Sequence, residues 1–313
     1  MPMTNCPNGH GPLLHRDNDL YCPKCHYSFS TPKKRGNKYV EEVNQTIRGL
    51  WMEHKLGESG ERKPLFHTLD KRNYDSGHCY RGINRWIAAL YPDIAFVTKE
   101  SIEKKGLALP DDAERLLVVA WIMPRLNKKE KALPKADQNA ILRKKRPFMV
   151  THIIYAASSI PELEAKEFPE DKNIKKFESV DSFIESTGIK IVEGGNRSRY
   201  NWEDDAIIIP RHQQFDTEED YYRELFRMIA LAANHKSRLN ADGKKYQRGE
   251  EFGRESLTVE FASSYICSKF GIDPDDRVIQ ELDHWFQSLD ADPHLMVSAA
   301  QQAEKVLDHY FKQ

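Results

Sequence analysis

The sequence predicts an α+β protein built in three parts. Cysteine and histidine residues are concentrated in the first 30 residues, which contain little apolar sequence. Beyond them, segments with helical spacing of apolar residues alternate with short strand-like runs. A chain of 313 residues is long enough for two ordinary domains, or for one large domain with an appendage. We therefore expect a small metal-binding unit followed by two regions of mixed helix and strand.

The composition limits the partners that the protein can have. Its 47 Lys and Arg residues nearly balance 48 Asp and Glu residues, so any nucleic-acid surface must be local. No apolar run approaches the roughly 20 residues that cross a bilayer, and the start "MPMTNCPNGHG" lacks the apolar region of a signal peptide. We therefore expect a cytoplasmic protein with no membrane partner.

Residues 1–30 predict a zinc ribbon. Three of the five cysteines lie here, which fits metal binding in a reducing compartment better than disulfides. A Cys-x3-His pair and a Cys-x2-Cys pair flank the hairpin-sized span "GPLLHRDNDLY", and one structural zinc ion would supply the folding energy. The predicted ligands are Cys6, His10, Cys22 and Cys25. His15 and His26 are alternatives to His10, and a disordered tail with incidental cysteines is the alternative to a metal site.

The second part covers residues 38–123 and is followed by a basic segment. Apolar spacing predicts helices in "KYVEEVNQTIRGLWMEH" and around "GINRWIAALY", and a strand in "LLVVAWIM". Residues 124–147, which we name the basic connector, contain nine Lys or Arg residues and two acidic residues. We interpret the basic connector as a mobile link rather than a core element.

The third part covers residues 148–313. Strands are predicted in "FMVTHIIYA", "IKIVE" and "DDAIIIP", and helices near 217–236, 251–270 and 294–311. Thr217 and Asp220 predict a variant capping box at the start of the first of these helices.

The second part also has the ingredients of a surface that binds a nucleic-acid strand. Cationic side chains between residues 71 and 85 are interleaved with Tyr74, Tyr80 and Trp86, so phosphate-binding groups lie beside rings on which bases can stack. For Trp86, at helical spacing from Leu90, we favour the alternative interpretation as a core residue. The candidate nucleic-acid contacts are Lys71, Arg72, Tyr80, Arg81, Asn84, Arg85, Lys104 and Lys105.

The stretches "NYDSGHCYRGIN" and "FVTKESIEKKGLALPDDAERLLVVAW" resemble the N-terminal single-stranded-DNA-binding domain of ArdC-type antirestriction proteins, which is also found on plasmid TraC-type primases. That family has a "TG-x-x-YRGIN" turn, a "T-x-x-x-A-x-x-x-G" helix and a "VVFW" strand. The matching positions here are Ser76-Gly77, Tyr80 to Asn84, Thr98, Gly106 and Val118 to Trp121. The resemblance implies an α/β domain over 38–123 that binds single-stranded DNA.

The third part resembles the metallopeptidase domain of the same family. The segments "GNRSRY", "DDAIIIP", "HKSRL" and "ESLTVEFASSYIC" follow the family's order, so the resemblance extends from Lys38 to the end of the chain. It implies a zincin-like α+β domain over residues 148–313, whose metal-binding helix should carry His-Glu-x-x-His.

The peptidase motif is degenerate in this sequence. The first His of the motif falls on Arg227, the general-base Glu on Met228 and the second His on Leu231. None of these side chains can hold zinc or activate its water. In the family pattern for the third ligand, Glu255 and Glu260 remain. We expect Arg227 to pair with one of them in a catalytically inactive site, and His235 to hold the helix end rather than a metal.

The resemblance implies an antirestriction or anti-defence protein of a phage or mobile element. It would bind DNA, preferentially single strands, inside the host cell, and its second partner would be a host restriction or defence nuclease. Delivery inside a virus particle stays open. The alternatives are a metallopeptidase with non-standard ligands, a module that binds a host protein through the inactive groove, and a replication accessory.

Overall fold

The computed structural model has an α+β fold, which confirms the predicted class. It describes residues 14–16, 19–21, 28–30, 38–55, 69–145, 147–168, 175–240, 250–274, 289 and 292–312. Side chains are described from residue 38 onward, except those of residues 50–55 and 250–255. Within these residues no helix is both long enough and apolar enough to cross a membrane.

The first three strands form a small antiparallel sheet. They are β1 (Leu14–Arg16), β2 (Asp19–Tyr21) and β3 (Ser28–Ser30), paired in that order. The predicted ligands Cys6, His10, Cys22 and Cys25 lie outside the described residues, as does His26, and only the backbone of His15 is described. The zinc ribbon therefore stays a prediction.

A four-stranded sheet with the order β4-β5-β7-β6 forms the middle of the protein. Its strands are β4 (Arg72–Asn73), β5 (Ala95–Thr98), β6 (Arg115–Ile122) and β7 (Phe148–Ala156). β7 pairs antiparallel with both β5 and β6, so it lies inside this sheet. The predicted boundary at residue 148 instead assigns this strand to the third part. The pairing of β7 corrects the predicted boundary at residue 148. Because β7 is hydrogen-bonded to both β5 and β6, it belongs to the same sheet as these strands and not to a separate C-terminal domain.

Helices α1 (Lys38–Lys55), α2 (Ile83–Ala89) and α3 (Lys99–Lys104) pack against this sheet. Gly82 precedes α2 with a φ of 56°, in the left-handed region that favours glycine. That conformation accounts for the glycine in the "YRGIN" turn. From α1, Glu42 accepts a hydrogen bond of 2.8 Å from the hydroxyl of Thr151, which ties the helix to β7.

The basic connector joins β6 to β7 at the end of their hairpin. It contains two helices that the sequence analysis did not predict, α4 (Lys128–Lys131) and α5 (Lys135–Lys144). Asn127 begins α4 with a capping box in which its side chain and that of Glu130 each accept a hydrogen bond from the other's backbone N–H. No residue of α4 or α5 is buried. The connector is therefore an extension of one hairpin and not a link between two domains, which corrects its predicted role.

The C-terminal part consists of a small sheet and four helices among the described residues. The sheet has the order β8-β10-β9, with β8 (Lys190–Glu193), β9 (Arg199–Asn201) and β10 (Ala206–Ile209). The helices are α6 (Val180–Thr187), α7 (Glu218–Ala232), α8 (Glu250–Lys269) and α9 (Leu295–Phe311). The last three confirm the helices predicted near 217–236, 251–270 and 294–311. α8 packs against both α7 and α9.

The middle sheet and the C-terminal helices share one continuous hydrophobic core. Trp86 on α2 stacks on Phe261 of α8 with ring centroids 4.4 Å apart, and both are almost completely buried. The interpretation of Trp86 as a core residue is therefore confirmed. Stacked aromatic pairs of this size dominate the energetics of a core, so the two parts stabilise each other.

A buried ion pair lies beside this aromatic contact. Arg85 on α2 donates from its Nε to Glu304 Oε1 of α9 at 2.6 Å, and both side chains are less than 10% exposed. The guanidinium also lies 4.4 Å from the ring centroid of Tyr265 on α8 and donates to the carbonyl of Leu69 at 3.2 Å. Arg85 therefore fixes α2 to the C-terminal helices.

We predict that Glu304→Ala destabilises the whole protein. The substitution leaves the Arg85 guanidinium buried without its carboxylate, which costs about 3–5 kcal/mol of the free energy of unfolding. Urea unfolding followed by circular dichroism measures the loss. Glu103→Ala is the control, because Glu103 and Lys99 form a solvent-exposed pair with atoms 3.9 Å apart. If both variants unfold at the same urea concentration, the Arg85 pair does not hold the two parts together.

Candidate functional site

Helix α7 carries the degenerate peptidase motif. Thr217 Oγ1 accepts a hydrogen bond of 3.1 Å from the backbone N–H of Asp220, which confirms the predicted cap. Leu225, Phe226 and Ile229 are at most 1% exposed and hold one face of the helix in the core. The side chain of Arg227 extends from α7 toward α8, so the site lies between these two helices.

The guanidinium of Arg227 lies between two carboxylates. Its Nη1 donates to Glu260 Oε1 at 3.2 Å, and its Nε donates to Glu224 Oε2 at 3.3 Å. Burial disfavours the charge of Arg227, but the two carboxylates outweigh this effect and raise its pKa above the ordinary value. Arg227 was predicted to pair with Glu255 or Glu260, and the structure shows the pair with Glu260. Glu224 was not predicted, although its position three residues before Arg227 on a helix is a signal for such a contact.

The other positions of the motif are filled by apolar side chains. Met228 is 3% exposed and belongs to the core, and Leu231 packs against that core with part of its surface exposed. The side chain of Glu255 lies outside the described residues. The recess beside Arg227 has a cavity of only about 10 Å³, the room of about one water molecule. It is lined by Arg223, Glu224, Arg227, Glu260, Ser263, Ser264, Cys267 and Pro274.

The described residues around Arg227 do not fit a zincin metal ion. Such a site needs two imidazoles one helical turn apart and a third ligand, whereas a guanidinium has no lone pair to give and leucine has no donor atom. Across the part of the chain that the structure describes, no group of three or more His, Cys, Asp or Glu side chains is arranged to hold a metal ion. Glu224 and Glu260 instead accept hydrogen bonds from the guanidinium of Arg227.

The turn after α7 is held by a polar network around Asp205. The buried ring of His235 lies 2.7 Å from Ser237 Oγ through Nδ1 and 3.2 Å from the Trp202 carbonyl through Nε2. Burial alone would raise the pKa of Asp205, but hydrogen bonds led by that from Arg238 outweigh burial and hold its pKa far below the ordinary value. His235 is thus a structural residue of the turn, although it does not bind the last carbonyls of α7.

Three of the predicted nucleic-acid contacts are structural residues. Lys71 is 0% exposed, and its ammonium donates to the carbonyls of Tyr91 and Asp93, each at 2.6 Å. Asn84 uses its amide to bind both backbone groups of Val119, at 2.7 and 2.8 Å, along the edge of β6. Arg85 is buried against Glu304. Lys71 and Arg85 are buried and bound within the protein, which contradicts their predicted role as DNA contacts. Asn84 is only partly buried, and its role as a DNA contact stays a prediction.

Two further candidates, Tyr80 and Arg81, lie in the turn just before α2. Arg81 is 44% exposed, and it donates to Glu304 at 3.0 Å and to Asp308 at 2.6 Å. The half-buried ring of Tyr80 packs edge-on against Phe96 at 6.2 Å. Arg81 is thus paired across the same junction as Arg85, and a DNA role for Arg81 or Tyr80 stays a prediction.

The remaining candidates are at the surface near β4. Arg72 lies 6.0 Å from the ring of Phe168, and Lys105 lies 5.8 Å from the ring of Tyr74. Lys166 lies within 6 Å of both rings. The exposed Lys104 is paired with Glu100 on α3. No sequence pattern indicated Lys166 and Phe168, because only the fold brings them next to the turn that contains Tyr74, more than 90 residues earlier in the chain.

The basic connector carries the densest positive charge among the described residues. Lys145 pairs with Glu130 at 2.6 Å. The other described cations are Arg125, Lys128, Lys129, Lys131, Lys135, Arg143 and Lys144, and the structure shows no ion pair for any of them. Because the connector projects from the hairpin without buried residues, these charges face solvent and are available to a polyanion.

The chain is similar to proteins of known name. A family model described as zincin-like metallopeptidase, MPTase-PolyVal, matches residues 178–302. Two proteins of Escherichia coli, both named DNA primase TraC, are 24% and 25% identical to it over 297 and 268 residues. The matches cover 89% and 80% of this chain but only 20% and 24% of the primases, so the chain spans about a fifth to a quarter of their length.

Two crystal structures share the fold. They are the metal-free and the Mn(II)-bound structures of the antirestriction protein ArdC from plasmid R388, with TM-scores of 0.66 and 0.65. Their sequences are 20% and 21% identical to this chain, and each comparison covers 86% of this chain and 96% of ArdC. At this coverage the shared fold includes both the middle sheet and the C-terminal helices.

We predict that Arg227→Met lowers the free energy of unfolding by about 1–3 kcal/mol, because Glu224 and Glu260 would face each other without a cation between them. Each of these acids is only 10% exposed. Urea unfolding at neutral pH measures the loss, and Arg197→Met, which removes an exposed charge, is the control. An unfolding midpoint equal to that of the wild type would show that the guanidinium does not stabilise this site.

Proposed function

We propose that this chain, which is ArdC-like in fold, is a DNA-binding antirestriction protein of a phage or mobile element with a preference for single strands. The observation that carries the proposal is the basic connector, which contains nine cationic residues and two acidic residues and whose two helices bury nothing. Counterion release from the phosphate backbone would drive the binding. Near β4, the partly exposed Arg72 and the exposed Lys105, which pairs with Asp75 at 2.8 Å, would add further cationic contacts.

The names of the similar proteins support this class of role. One similar solved structure is that of a protein named antirestriction ArdC, and two similar proteins are named DNA primases. Primase activity is not carried over, since the chain matches about a fifth to a quarter of those enzymes. In the host cytoplasm, the protein would cover entering DNA or bind a host restriction or defence nuclease. Either action would protect the mobile element that encodes the protein from cleavage.

We propose further that the zincin-like part has lost hydrolysis while it has kept its shape. Peptide hydrolysis by this fold needs a metal-bound water and a carboxylate base. Arg227 in the first ligand position, held by Glu224 and Glu260 at 3.3 and 3.2 Å, supplies neither. Structural zinc would then be confined to the ribbon formed by Cys6, His10, Cys22 and Cys25.

We predict that oligonucleotide binding depends strongly on salt and on the basic connector. Neutralising three of its cations, as in the variant Lys128→Gln, Lys129→Gln, Lys144→Gln, should weaken binding several-fold. It should also reduce the slope of log K against log salt by about 2 for single strands, at roughly 0.7 per phosphate contact. Fluorescence anisotropy of a labelled oligonucleotide between low and moderate salt measures both quantities.

The matched control replaces three exposed lysines elsewhere by glutamine, namely Lys99, Lys190 and Lys236. The control should retain the wild-type slope. Equal effects of the two triple variants would assign the binding to net charge alone, and an affinity that does not change with salt would contradict the electrostatic part of the proposal.

We predict one zinc ion per full-length chain, and none in the variant Cys22→Ser, Cys25→Ser, because removing two thiolates destroys a tetrahedral structural site. Metal content is measured by plasma mass spectrometry after exhaustive dialysis, and casein cleavage is assayed in parallel with added zinc or manganese. Metal that persists in the cysteine variant, together with cleavage, would support the alternative of a metallopeptidase with non-standard ligands.

A further inference from the structure

The hairpin of β6 and β7 exposes an unusual concentration of large apolar side chains. Nine such residues are exposed among those the structure describes, and six of them lie between residues 121 and 148. These six are Trp121, Ile122, Met123, Leu133, Leu142 and Phe148. Clustered apolar exposure on a soluble protein marks an interaction site rather than a packing requirement.

The strand register explains how two rings reach solvent at the end of the hairpin. Ile122 lies opposite Phe148, and Trp121 lies opposite Met149. Because neighbouring residues of a strand face opposite sides of a sheet, Trp121 and Phe148 lie on opposite faces of the hairpin. Met149 is 3% exposed and anchors its face to the core, whereas Trp121 is 49% and Phe148 is 53% exposed. One aromatic ring is therefore available on each side.

We propose that Trp121 and Phe148 are two separate stacking surfaces, one on each face of the hairpin, for bases of a single DNA strand that passes around the hairpin end, while the basic connector binds the phosphates. The inference rests on the proposed function and assigns its strand preference to two rings. Among the described residues the structure shows no aromatic partner for either ring. Base stacking on exposed aromatic side chains beside cations is how proteins bind single strands without reading their sequence.

The surrounding charge selects this occupant over a protein. The two rings lie at the strand ends from which the basic connector leaves and to which it returns, and the seven described cations of the connector other than Lys145 have no ion pair. A second copy of the chain would bring two such connectors together, and their like charges would oppose association. A duplex offers phosphates to the connector, but its bases are already stacked on one another, so it gains nothing from the rings. A single strand satisfies both the rings and the cations.

The test compares single-stranded and duplex forms of one sequence on the full chain by fluorescence anisotropy. Trp121→Ala and Phe148→Ala should each weaken binding of the single strand about five- to tenfold, with the salt slope unchanged and duplex affinity within twofold of wild type. Trp121→Phe keeps a ring and should retain most of the affinity. Ile94→Ala is the control, because Ile94 is 57% exposed and lies outside the hairpin.

Each outcome separates this inference from the proposed function. If both alanine variants bind the single strand with wild-type affinity and with the same salt dependence, the stacking role of Trp121 and Phe148 is overturned, while DNA binding by the protein stands. A wild-type protein that binds neither form would overturn the proposed function. A dimer measured by light scattering that both substitutions dissociate, with DNA affinity unchanged, would assign the rings to self-association and overturn the inference.

Discussion

The ion pair of Arg85 and Glu304 is the interaction on which the arrangement of this protein depends. It joins α2 of the middle region to α9, 219 residues later in the chain, in a place where neither group is exposed to water by more than 10%. An isolated charge there would be far less favourable than the pair, so the two helices must meet in one register. The stack of Trp86 on Phe261 supplies the apolar area beside it. The two halves therefore share one hydrophobic core and one buried ion pair.

A guanidinium between carboxylates also shapes the second site, with a different consequence. In a zincin, a metal ion neutralises acidic ligands and activates water. Arg227 neutralises Glu224 and Glu260. Its guanidinium has only N–H donors and no lone pair, so it cannot bind or activate a water molecule as a metal ion does. A guanidinium at this position supplies positive charge without an open coordination site. The chain thus combines a fold shared with ArdC with an arginine held between two acids on α7 and α8.

Local patterns were enough to predict much of this structure. Apolar spacing located α7, α8 and α9, and the Thr217 cap was readable from two residues. The pairing of Arg227 with Glu255 or Glu260 was predicted only because the family resemblance placed these residues at the peptidase site, and the structure shows Glu260 as the partner. Long-range pairing was not readable. The position of β7 between β5 and β6 depends on a register across the 25 residues from 123 to 147. Lys71 and Asn84 look like surface groups in sequence, because their acceptors are backbone atoms that only the folded chain supplies.

The place of the basic connector in the fold has a consequence for how this protein can diversify. Its two ends leave and re-enter through neighbouring strands that lie about 5 Å apart, so the sheet closes the loop whatever the loop contains. The entropic penalty of lengthening a closed loop grows only logarithmically, and α4 and α5 bury nothing that the core would miss. Insertions, deletions and exchanges of charge in this segment can therefore change the charge of this surface with little loss in the free energy of unfolding. Mutational drift should be tolerated there long before it is tolerated at the junction of α2 and α9.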